Sequence, residues 1–450
     1  MKVPLPTGIT GDNDIPKRKE YLVNLYSTED TLIQTPGISA LSTGDGICRG
    51  AVTFQNEYYQ VSGSNLIRIS SSGIKTVIGA IAGTADVVFA QSFIALCIVV
   101  KGGAGYFYSP SIGLVQITDP DYFPSVDVDS INARFVFVPA DGGPLFYTDV
   151  NNLTDIPSLN FFDAELLPDD NKTVINLRND LYIGGTDSFE VFRNQADVDT
   201  PFIRVNGAAI ETGYVAAKAR YKDTFLFLGR DRDGSFGFFA MSSGDAPQIS
   251  NSAIAELLNE EYTEAELNLC TSQRFTWKGV DMVCFRLARH SLLYFGNDWT
   301  YMQTGIDPDD TLQPWSVNHL SFAYGKYLVG SADNNSIGIL ANINTEYGEK
   351  IERQINTFIK ADRNAYFEID SAMLDVTAGT NFTEGTVGLC GSKDGLNYGE
   401  PWWQPLGAQG RTEQQVRWTG GLGVFESFLG LKIRTTADVK FSVDGFLINV

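Results

Sequence analysis

Histidine is nearly missing from this chain: His290 and His319 are the only two in 450 residues. Neither has a second His, a Cys or a paired acid at ligand spacing, which argues against a zinc site. Cysteine is sparse as well, with five scattered residues, an odd number, and no CxxC. Most of them sit among apolar neighbours, as in Ala95-Leu96-Cys97-Ile98, so they read as buried free thiols of a reducing compartment. No apolar run approaches the length of a membrane span, and MKVPLPTGITGDND lacks the apolar core of a signal peptide. The expectation is synthesis and folding in a cytoplasm, with no stable membrane insertion. Bases are outnumbered, 33 Lys and Arg against 54 Asp and Glu, for a net charge of −21. Wrapping nucleic acid needs a basic footprint and is disfavoured. An acidic wall would instead repel DNA and let it pass without sticking.

What the chain does have is glycine, 44 residues, and 12 % aromatics, a composition for short strands and tight turns. The stretch Asn171–Asn194 sets the pattern: Val174, Leu177 and Leu181 lead to the apolar run Leu181–Ile183. Gly184–Ser188 turn the chain, and Phe189, Val191 and Phe192 begin the next run. Arg178, Tyr182 and Glu190 alternate with them, the period-2 signature of half-buried antiparallel strands. A lone hairpin cannot cover its own apolar face, so copies are required. Degenerate copies recur at Val52, Val88, Ala133, Ile175, Ala219, Thr276 and Ser321, about 36 to 57 residues apart and mostly near 43. That is propeller-blade spacing. The fold expected is all-β, a propeller of six or seven blades.

Residues 1–46 differ from the repeats, with Pro4, Pro6, Pro16 and Pro36 and a basic patch, Lys17-Arg18-Lys19. They read either as an extended arm or as a partial first blade closing against the last. The propeller is assigned to 47–345. Its longest spacer, Ser252–Leu269, carries a two-helix insertion, with Ser252 as one cap and Thr263 with Glu266 as a capping box. Past Tyr347 the register changes, and 346–450 is assigned to a C-terminal β-sandwich ending in the alternating VKFSVDGFLINV.

Motifs for chemistry are weak. GxSxG, GxxxxGK[ST] and GxGxxG are all missing. Asp231-Arg232-Asp233-Gly234-Ser235 has two of the acids of a calcium loop but not its terminal Glu, and reads as a hairpin turn. Ser392-Lys393-Asp394-Gly395 is similar to the Asp-box turn of sialidase propellers but occurs once, outside the repeats, without the following Thr-Trp. Asn152, Asn171 and Asn381 match the glycosylation pattern by chance. No catalytic, cofactor or metal residue is assigned.

Several stretches, in order, carry a resemblance. Near the start are Asn24-Leu25, Thr35-Pro36-Gly37-Ile38 and Arg49-Gly50, followed by Tyr262-Thr263-Glu264-Ala265-Glu266 and Arg289-His290-Ser291-Leu292-Leu293-Tyr294. Then come Phe358-Ile359-Lys360-Ala361-Asp362, Lys393-Asp394-Gly395-Leu396-Asn397-Tyr398-Gly399 and Leu429-Gly430-Leu431-Lys432-Ile433-Arg434. With the type repeat, they resemble the tail hub, or nozzle, proteins of short-tailed bacteriophages, the packaged-DNA stabilisation family. The resemblance implies a structural virion protein that is not an enzyme. It implies a six-fold ring below the portal and its adaptor, extending the DNA channel and holding the packaged genome. It also implies docking of tailspikes, fibres or a needle, and a place in the virion tail. A ring needs heterologous contacts, and the candidates for assembly are Tyr21, Asn24, Tyr26, Pro36, Lys360, Asp362, Trp418, Lys432 and Arg434. The rival expectation is a propeller glycosidase or glycan-binding module for host attachment.

Overall fold

The computed structural model describes residues 1–449 apart from 13, 14, 16, 30, 154, 165, 196, 198, 199, 206–208, 243, 307–310, 362–365, 378–383 and 412–414. Seven strands line a central tunnel: Cys48–Phe54, Val87–Gln91, Ser125–Ile131, Asn171–Leu177, Gly213–Tyr221, Thr271–Trp277 and Val317–Ala323. Each lies against the next, and the seventh returns to the first. Each also opens its own antiparallel sheet, so the propeller has seven blades. Of the repeat markers, six fall on these inner strands. Ala133 instead sits in the turn after Ser125–Ile131, with φ 60°. The type unit is likewise three strands rather than one hairpin: Asn171–Leu177, Asp180–Gly185 and Phe189–Asn194. The additional turn is Arg178-Asn179, both at positive φ. The same two-residue turn follows the first, third, sixth and seventh inner strands, at Gln55-Asn56, Asn132-Ala133, Lys278-Gly279 and Tyr324-Gly325. Two positive φ values give the hairpin the twist its strands need.

Burial explains why no blade stands alone. Apolar side chains form wedges between neighbours, such as Leu66, Ile98 and Tyr106 between blades one and two. Ile175, Phe189, Phe225 and Phe227 fill the gap between blades four and five. Among the described residues blade five has three strands, and the helix Ser252–Glu261 lies against its last, Phe236–Ala240. Ala253, Ile254, Leu257 and Leu258 of that helix join Trp299 and Phe285 of blade six in one core. The edge of Phe236–Ala240 is satisfied by the segment before the helix, where the Ala240 amide donates to the Pro247 carbonyl and the Ile249 amide to the Phe238 carbonyl. The Asn259 side chain of the helix completes it by bonding the Phe236 amide and carbonyl. Its cap is Asn251, whose side chain accepts from the Ile254 amide, one residue before the expected Ser252. The second helix, Glu264–Leu267, has the expected Thr263–Glu266 capping box.

The first 46 residues are divided among three sheets. Gly37–Thr43 is the outer strand of blade seven, paired with Ser336–Ala341, so the ring closes through the two ends of the propeller sequence. Lys2–Val3, Leu25–Thr28 and Thr31–Gln34 join a sandwich sheet with Tyr366–Val376, Val416–Glu426 and Ser442–Asn449. Lys19–Val23 lies between propeller and sandwich: it pairs with Asp298–Met302 of blade six in parallel and with Arg353–Lys360 antiparallel. Blade six therefore continues into the second sandwich sheet, with Phe428–Thr435, Thr386–Ser392 and Trp402–Pro405 beyond. The two sandwich sheets enclose Leu22, Ile355, Ala372, Trp418 and Ile433.

Candidate functional site

The tunnel is the first place to look for chemistry. A cavity of about 440 Å³ at one mouth is lined by Asp86, Lys101, Asp127, Lys172, Lys218 and His319 among others. Asp127 Oδ2 accepts from Thr173 Oγ1 at 2.5 Å, from the Val174 amide at 3.0 Å and from the Lys218 ammonium. Asp129 accepts from the Asn176 amide at 2.8 Å, with Arg220 at 3.6 Å. Carboxylates of blade three therefore staple blades four and five, and they are used up as structure. Asp127→Ala leaves three donors short in a buried site, so an expected loss of roughly 3 kcal/mol should appear in urea unfolding. A change under about 1 kcal/mol would mean that the staple carries little weight.

The joint between propeller and sandwich holds a buried polar network. Asn24, at φ 54°, donates from its side chain to the Gln303 and Glu352 carbonyls, and its Oδ1 accepts from the Gln303 amide. Glu352 and Arg434 form an ion pair at 2.5 Å with the carboxylate fully buried. Arg353, also buried, donates to the Asn344 carbonyl at 3.0 Å. Burial pushes the Glu346 carboxyl up to about 7, against hydrogen bonds from Thr304 and Trp315 and the charge of Arg353, which pull it down. Asn24 and Arg434 stand out in the sequence, but nothing local joins them to Gln303 and Glu352, which lie far along the chain from Asn24.

The candidate assembly residues cluster near this joint, and their side chains are engaged within the subunit. Tyr26 is buried edge-on against Phe295. Tyr21 packs against Tyr301. Pro36 is buried. Trp418 is in the sandwich core, its indole donating to the Trp402 carbonyl at 2.6 Å. Lys360 pairs with Asp12, and Lys432 lies over the Tyr398 ring at 4.3 Å. Asp362 lies outside the described residues. Tyr21 and Tyr26 thus pack against blade six and Trp418 and Lys432 within the sandwich, while Lys360 remains exposed at the surface.

The remaining motifs resolve as structure. His290 Nδ1 lies 2.6 Å from the Tyr262 hydroxyl, and burial, with Arg289 and Lys19 nearby, lowers it to about 4. Asp394 Oδ1 accepts from Ser392 Oγ and from the Leu396 and Asn397 amides, a closed turn whose backbone and side-chain donors hold the acid well below the usual range. Asp231 Oδ1 accepts from the Asp233 and Ser235 amides, the hairpin expected there. The five cysteines are all buried. Among the described residues, no group of three or more His, Cys, Asp or Glu is placed to hold a metal, and no helix is long and apolar enough to cross a membrane.

Comparison with known proteins gives two family matches, in chain order. Residues 1–344 match the model for bacteriophage P22 Gp10, beta-propeller, and residues 352–450 match that for bacteriophage P22 Gp10, beta-sandwich. No curated protein matches. Among solved structures, the computationally designed Ika8 protein covers 67 % of this chain and 99 % of its own at 10 % identity and TM-score 0.42. The N-terminal domain of Nup159 covers 75 % and 98 % at the same identity and TM-score. The extracellular domain of a one-component system from B. thetaiotaomicron covers 77 % and 45 %, again at 10 % and 0.42. Likeness at that level carries no argument about function.

Proposed function

The chain belongs to the bacteriophage P22 Gp10 family, the tail hub proteins of short-tailed phages, and from that premise we propose how it works in the tail. Six copies form a ring below the portal and adaptor, extend the DNA channel and help to retain the packaged genome. The ring also docks spikes, fibres or a needle. The observation that carries this reading is the match of both domains, in order, over nearly the whole chain. The sheet running from blade six into the sandwich supports it, since a hub must pass load between attached parts. A net charge of −21 suits a conduit that DNA crosses without binding.

The test is the mass of the purified protein, alone and with the portal–adaptor complex of its virus, by native mass spectrometry and negative-stain microscopy. Six copies bound coaxially to the complex are expected, whatever the state of the free protein. A monomer that ignores the complex and instead binds or cleaves host polysaccharide would overturn the reading in favour of glycan attachment.

A further inference from the structure

Charge is unevenly distributed along this chain. Residues 102–171 contain eleven Asp and Glu and a single base, Arg134. That base is buried and pairs with Asp149 at 3.1 Å. About half of the net charge of −21 therefore comes from one stretch, which builds the outer half of blade two and all of blade three.

The same stretch exposes large apolar side chains. Leu159 is 84 % exposed, Phe161 54 % and Phe123 53 %. Phe123 and Phe161 edge a groove of about 280 Å³ with Pro144, Pro157 and a floor of Phe146 and Ile156. Asp121 and Asp141 stand at its rim, and exposed Asp155 and Asp163 lie within two residues of its lining. The groove is rigidly held: Tyr122 packs edge-on to Phe137 and Phe146, and Phe137 stacks on Phe146 at 5.0 Å. Asp119 fixes the covering loop by accepting from the Ile156 amide. A preformed apolar floor inside a ring of acid suits an apolar anchor flanked by cations.

We propose that this groove on the outer edge of blade three is the docking site for a cationic, apolar-anchored segment of a different protein of the same particle. A second copy is disfavoured as occupant, because it carries a net charge of −21. Contacts between copies in the ring are then made elsewhere. The proposal deepens the hub reading and rests on it only in taking the partner from the same particle.

The experiment replaces Phe161 by the photo-cross-linker p-benzoylphenylalanine in protein supplied to phage lacking its own copy, and irradiates assembled particles. Expected is a cross-link to another virion protein, within a peptide carrying an excess of Lys and Arg. A cross-link to a second copy, to an acidic or neutral peptide, or to nothing in particles that contain the protein overturns the proposal. A second arm uses Asp121→Lys with Asp141→Lys, which should cut attachment of that partner at least ten-fold without moving the unfolding midpoint. Unchanged attachment overturns the proposal even if the cross-linker variant fails to assemble. Wild-type protein that never enters particles would fail the hub reading instead.

Discussion

Arg434→Ala costs about 3–5 kcal/mol of folding stability, because it strands the Glu352 carboxylate inside the joint without its cation. The pair lies at 2.5 Å with Glu352 fully buried and the Arg434 side chain 18 % exposed. Glu352 is also anchored at its backbone, where its carbonyl accepts from Asn24. The loss should therefore loosen propeller from sandwich as well as lower the global midpoint. Replacing both partners, Glu352→Gln with Arg434→Met, removes the charges together and should recover most of the loss. Urea unfolding of the two variants measures the difference. A single variant within about 1 kcal/mol of the wild type would show that the joint does not depend on the pair.

Glu346 gives the second large effect, and it is a dependence on pH. Burial raises its carboxyl from an ordinary 4.5 to about 7, so the folded state binds its proton more tightly than the unfolded chain does. The stability this supplies is complete below about 4.5 and is lost as pH rises through about 7. The loss is on the order of 3 kcal/mol for a shift of this size. Thermal unfolding should show the wild type weakening between pH 5 and 8. Glu346→Gln keeps an acceptor for the Trp315 indole and should weaken less over the same interval. Parallel curves for the two proteins would assign the pH dependence to other groups.

The propeller was legible in the sequence because its signal is local. Val52, Val88, Ile175, Ala219, Thr276 and Ser321 all fall on inner strands, since each blade must present the same alternation to its neighbours. Ala133 missed by two residues, for its blade begins at Ser125, and nothing in Asn132-Ala133 marks a turn as strongly as Lys278-Gly279 does. The capping box at Thr263 could be read because both partners lie within one turn of helix. The joint could not. Lys19–Val23 shows the pattern of a strand, but local alternation names no partner, and its partners begin 275 or more residues later. Tyr26 and Trp418 illustrate the same limit: an aromatic residue in a strand is marked for burial or for contact, and only packing decides which. The acidic groove escaped notice for another reason. Its charge excess emerges when bases are counted region by region, and its apolar floor only when strands are placed side by side.

The interleaving of the first residues with the last has a consequence for the order of events during synthesis. Gly37–Thr43 leaves the ribosome early, yet its neighbour, Ser336–Ala341, is made almost 300 residues later. Lys2–Val3 waits longer still, for Phe446 and Leu447. The ring of blades cannot close before Ala341 is made, and the sandwich not before Ser442–Asn449, so the usual advantage of folding one domain at a time is reduced. Blades one to five can collapse as they appear, but the closing step draws together segments separated by nearly the whole polypeptide, and distant pairing of this kind is slow. Until then the early strands are exposed edges. A tail component is thereby kept from its final shape until its last strand has been translated.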